Sequence, residues 1–100
     1  MFVILTSKPG EFRTEVAQGM APVDAYEYVC AGRKRAHFVI ARLESPTRVR
    51  IVDETPPPVV NVVPSKFLPK FDSVERARAE LEQLASKGGG ADYVLRRVDP

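Results

Sequence analysis

Residues that commonly carry chemistry are scarce in this 100-residue chain, which has one cysteine, Cys30, and one histidine, His37. A single thiol excludes an intramolecular disulfide, and neither a four-cysteine iron–sulfur cluster nor a multi-cysteine zinc site can form within one chain. No apolar run approaches the ~20 residues of a membrane span. The apolar start, Phe2 to Leu5, also lacks a basic leader and a small-residue cleavage site, so it reads as the first strand of a cytoplasmic protein. Excess charge is small too: the formal net charge is +2, too little by itself to call for a polyanionic partner. There is no internal repeat and no RNA-binding sheet signature. Gly88-Gly89-Gly90 is no phosphate loop, because it follows a helical stretch instead of leading from a strand into one and lacks a Lys-Ser/Thr ending. It reads as a hinge.

What is present is the composition of a globular protein, 44% hydrophobic and 28% charged, in a length that suits one domain over residues 1–100. The strongest β signal runs from Arg33 to Glu54. Ala36 to Leu43 carries apolar residues on both alternating sets, Phe38 and Ile40 on one and Val39, Ala41 and Leu43 on the other, which predicts a strand covered on both faces. Past Ser45-Pro46, the run from Arg48 alternates Val49 and Ile51 against Arg48 and Arg50. The two runs are expected to pair, with one cationic surface.

Upstream, Pro9-Gly10 predicts a reversal, and the amphipathic run Glu11 to Ala17 is expected to form a hairpin with Phe2–Leu5. Gln18 to Asp24 reads as a loop. Ala25 to Ala31 reads as a strand with Tyr26, Tyr28 and Cys30 on one face, a helix over Pro22–Cys30 being the rival; a tight connection at Gly32 then gives a meander. Downstream, Thr55-Pro56-Pro57-Pro58 is a stiff extended arm. Val59-Val60-Asn61-Val62-Val63, with proline at both ends, predicts an edge strand. Ser65 to Phe71 reads as a covering loop or single turn. A helix is predicted over Ser73–Lys87, capped by Asp72 with Glu75, burying Val74, Ala77, Leu81 and Leu84, and pairing Arg76 with Glu80 and Arg78 with Glu82 on its outer side. Tyr93 to Leu95 forms a last strand. The expected fold is therefore α+β, a mainly antiparallel sheet of about five to six short strands with one C-terminal helix packed on one face, with barrel-like closure as the alternative.

No residue is assigned to catalysis, a cofactor or a metal. His37 lies among basic residues that depress its protonation, and its candidate orienting carboxylates, Glu44, Asp53 and Glu54, are only loosely placed, so a structural role outweighs a catalytic one. Cys30 precedes three cations that favour a thiolate, yet its reading as a small buried hydrophobe is stronger. The expected function is that of a small non-enzymatic accessory subunit or protein-interaction module docking on a larger cytoplasmic protein or enzyme complex, with homodimerisation as a further assembly. The candidate partner-binding residues are Arg33, Arg35, Arg48, Arg50, Val60, Asn61 and Val62. A second reading is nucleic-acid binding by the basic strand pair Arg33–Arg50, with Tyr26 and Tyr28 as stacking faces. A third is a small ligand-binding domain or enzyme using His37 or Cys30. No membrane partner is expected.

Overall fold

In the computed structural model, which describes residues 1–89 and 92–100, the chain forms seven strands and one long helix. The strands are β1 (Phe2–Ser7), β2 (Phe12–Thr14), β3 (Met20–Cys30), β4 (Arg33–Leu43), β5 (Arg48–Asp53), β6 (Val60–Pro64) and β7 (Tyr93–Val98). A 3-10 turn at Ser65–Phe67 and helix α1 (Val74–Gly89) lie between the last two. The class is α+β, as the residue patterns predict, but the strands divide between two antiparallel sheets, ordered β1-β4-β3-β7 and β2-β5-β6.

The two apolar faces of β4 explain this layering. Phe38 and Ile40 join Tyr26, Ala36, Ala77 and Leu81 in one core, so α1 covers that face of the four-stranded sheet. Ala41, with Val3, Leu5 and Met20, meets Val49 of β5 in a second core on the opposite face. The four-stranded sheet is thus the middle layer, between the helix and the three-stranded sheet.

Strand partners depart from expectation. β4 does not pair with β5, because both its edges are taken, by β1 from Phe2↔Arg42 to Ser7↔His37 and by β3 from Met20↔Leu43 to Cys30↔Arg33. The Ser45-Pro46 segment is a crossover between sheets, held where the Glu44 and Ser45 amides donate to the Gly19 carbonyl at 2.8 and 3.3 Å. Gly19 has φ 91°, and a Cβ there would lie 2.7 Å from Ser45 Oγ, so only glycine fits this approach. The crossover lets Val49 and Ile51 pack on the back of the four-stranded sheet, which takes Val49 and part of Ile51 out of water. Likewise β1 and β2 form no ladder: the bridge Lys8↔Phe12 closes the turn after β1, Thr14 reaches β1 through its amide to Ser7 Oγ and its hydroxyl to the Thr6 carbonyl, and β2 pairs with β5 instead, from Phe12↔Asp53 to Thr14↔Ile51.

β3 starts at Met20, inside the stretch expected to be a loop, and its antiparallel pairing with β4 from Met20 to Cys30 excludes the rival helix. Pro22 is tolerated because the register shifts between Pro22 and Asp24. The β3–β4 meander forms as expected, through Ala31 and Gly32 at φ 52° and 77°.

The helix also differs in detail. Its cap is Ser73, whose Oγ accepts from the Arg76 amide at 3.1 Å, in place of Asp72. The fully buried stripe is Ala77, Leu81 and Ala85, whereas Leu84 is 47% exposed. Arg76 pairs back to Asp72 at 3.5 Å, and Arg78 reaches to β3, so neither makes the expected pair with Glu80 or Glu82. Gly88 and Gly89 belong to the helix, and Gly90, with the expected hinge, lies outside the described residues.

Candidate functional site

Strand β6 lies at the edge of its sheet and pairs on one side only, with β5, from Arg48↔Pro64 to Val52↔Val60. The Asp53 amide donates to Val59 O and the Ser65 amide to Thr47 O, each at 2.8 Å, which fixes the hydrogen-bonding phase of the pair. Antiparallel strands alternate this phase, so Val59, Asn61 and Val63 turn their backbone groups toward β5, while Val60, Val62 and Pro64 turn theirs outward. The open edge therefore offers the N–H and C=O of Val60 and Val62, and from Pro64 only a carbonyl. Apolar side chains follow the same stretch: Val60 is 45% exposed, Val62 50% and Phe67 68%.

Register sets a cationic border beside these valines. Arg50 stands opposite Val62 and Arg48 opposite Pro64, on the same outward face as Arg13, which pairs with Val52. Glu15 holds both Arg13 and Arg50, each at 3.5 Å. Arg48 makes no ion pair among the described residues, so of these three arginines it is the one whose charge no carboxylate offsets. Of the predicted partner-binding residues, the structure brings together Arg48, Arg50, Val60, Asn61 and Val62.

Arg33 and Arg35 are elsewhere. They open β4, whose eleven residues from Arg33 to Leu43 span ~33 Å, so they sit at the far end of the strand from the β4–β5 crossover. A basic strand pair from Arg33 to Arg50 does not exist, because its two halves belong to different sheets. Tyr26 is buried and Tyr28 packs against the helix-side core, donating its hydroxyl to Ala85 O at 3.4 Å, so neither ring offers a free stacking face.

The most organised polar site was not foreseen. Asp24 is 2% exposed on the helix-facing side of β3. Its Oδ2 accepts from Arg78 Nη2 at 2.8 Å and from the Tyr26 hydroxyl at 2.9 Å, and its Oδ1 accepts from Arg97 Nε at 2.8 Å. Arg78 Nε also donates to the Tyr26 hydroxyl at 2.6 Å. Burial pushes the Asp24 carboxyl upward, but the hydrogen bonds from Arg78, Tyr26 and Arg97 outweigh it and hold the group below its ordinary value. Burial raises Tyr26, and the same contacts raise Arg78. With every carboxylate oxygen committed, the cluster is a lock joining β3, α1 and β7. Its signal in the sequence is alternation: once β3 is a strand, Asp24 shares a face with Tyr26 and Tyr28, where a carboxylate must find partners.

His37 Nδ1 is buried without a hydrogen-bond partner. Burial, then the charge of Lys34, lowers its protonation, with Glu27 opposing. Cys30 ends β3 partly buried, opposite Arg33. Among the described residues no three His, Cys, Asp or Glu side chains gather as a metal site, and no helix is long and apolar enough to cross a membrane. Compared with protein-family models, curated proteins and solved structures, the chain finds no match.

Proposed function

We propose that this protein is a small non-enzymatic interaction module, an accessory subunit that docks on a larger protein by accepting a strand along β6. The observation that supports this reading is the outward backbone of Val60 and Val62, on an edge that carries no charged residue of its own and is lined by exposed valines. Main-chain hydrogen bonds supply affinity in such strand addition, and side chains beside the edge supply selectivity. Arg48, free of a carboxylate, and Arg50 favour a partner segment with acidic side chains at the Pro64 end. Arg33 and Arg35, far from this edge, are available to a second contact on a large partner. An unpaired Cys30 suits the reducing cytoplasm.

Val62→Pro tests the reading, because it removes an outward amide and leaves the ladder to β5 intact. The variant is expected to keep its circular dichroism spectrum and to lose partners that the wild type captures from the native host. A folded variant recovering every wild-type partner overturns the proposal.

A further inference from the structure

We infer that, in the absence of a partner, two copies of this chain pair through β6 about a two-fold axis at Asn61, closing the two open edges into one continuous sheet. The inference rests on the reading of β6 as a docking edge, and it names a second copy as the occupant.

The segment Pro58-Val59-Val60-Asn61-Val62-Val63-Pro64 reads the same in both directions. An antiparallel two-fold pairing centred on Asn61 therefore sets like against like, Val60 against Val62 and Pro58 against Pro64 of the second copy. The phase of β6 suits this alignment. Val60 and Val62 present their backbone outward, so each facing Val60–Val62 pair exchanges two N–H···O bonds. Asn61 faces Asn61 in the intervening position, where the two Cα atoms lie ~4.5 Å apart. Each side-chain amide can there donate to and accept from its twin. The prolines hold the register, because a slip of two residues in either direction sets a valine carbonyl opposite a nitrogen that has no hydrogen.

Charge permits the same arrangement. No residue of β6 is ionisable, and Arg48 and Arg50 stand one strand back, on β5. Across the two-fold, the arginine-bearing strands are three spacings apart, ~14 Å. That exceeds the ~8–10 Å screening length at ordinary salt, and Glu15 already holds Arg50. On the outer face, the exposed Val60 and Val62 of the two copies form one apolar stripe. The contact is short, so the dimer dissociates on dilution, and a partner strand competes with the second copy for the same backbone groups.

Sedimentation velocity of the full chain across a concentration series tests the dimer, and site-specific oxidation tests its geometry. The wild type is expected to show a monomer–dimer equilibrium that Val62→Pro abolishes. In a Cys30→Ser background, Asn61→Cys should oxidise to a disulfide dimer, since ~4.5 Å lies within the Cα range a disulfide spans. Val94→Cys, on exposed β7, serves as the control and should remain largely monomeric. A wild type that stays monomeric throughout, a dimer that survives Val62→Pro, or equal oxidation at both positions overturns the inference. If dimerisation fails while Val62→Pro still loses partners, the docking function stands alone; if the dimer is found and capture is insensitive to Val62→Pro, the docking function falls.

Discussion

Each sheet of this protein ends in an open strand, β6 in one and β7 in the other, and the two edges are finished differently. β7 carries Arg96 and Arg97 within the strand, tied to Glu27 and Asp24 on the neighbouring β3. Any strand approaching β7 meets those cations, which is how many proteins discourage edge-to-edge pairing. β6 carries valines and an asparagine, with prolines limiting how far a partner can pair. Two edge strands of one molecule thus differ in where charge lies relative to the free backbone: β7 has cations within the strand, and β6 has none.

The comparison can be broken first at its support. Leu81, fully buried beneath the β7 sheet, should cost ~2–5 kcal/mol when changed to alanine, read as a large fall in thermal midpoint. An unchanged midpoint contradicts the packing of α1. Next is the lock on β7. Asp24→Asn leaves Arg78 and Arg97 without a carboxylate, and because those side chains are 40% and 70% exposed the cost falls near the low end for a buried pair, ~3 kcal/mol. Since folding lowers the Asp24 pKa, its stabilisation is fully present above the unfolded value near 3.8 and is lost as pH falls through the lower folded value. Acid unfolding curves of wild type and Asp24→Asn should accordingly converge below that range; parallel curves remove Asp24 as the acid-sensitive group.

A smaller effect sharpens the β6 side. Asn61 turns its amide toward β5, so Asn61→Pro orphans an acceptor there and should cost ~1–3 kcal/mol, whereas Val62→Pro, one residue on, should stay within ~0.5 kcal/mol. Denaturant unfolding of both variants checks the phase of the edge; equal losses mean the wrong amides are assigned outward. The smallest expected effect belongs to His37, whose lowered pKa makes the folded protein hold a neutral ring. Stability should decline gently as pH falls below the unfolded value of ~6.5, and His37→Gln should flatten that slope.

Legibility in the sequence followed the range of each interaction. The proline-bounded valines of β6 and the helix over Leu81 were readable because neighbours in the chain determine them. The exposure of Leu84 and the burial of Ala85 were not, since both suit a helical apolar stripe and only the opposing sheet chooses between them. Of the candidate site, Val60, Val62, Arg48 and Arg50 were found together, while Arg33 and Arg35 were grouped with them through a strand pairing that does not form. Asp24 escaped because its arginine partners lie 54 and 73 residues away.

By itself, the sequence determined which side chains must leave water: both faces of β4, one face of β5, one stripe of α1. It determined too where regular structure stops, at Ser73 before the helix and at the prolines around β6. Only the tertiary structure decided which strands lie side by side. Alternation specifies the face that is buried, but backbone edges are chemically alike and accept any strand in the right phase, so β1 chose β4 over β2 and β5 chose β2 and β6 over β4. Between them the two cores draw residues from all three layers at once, a condition that no single stretch of chain carries.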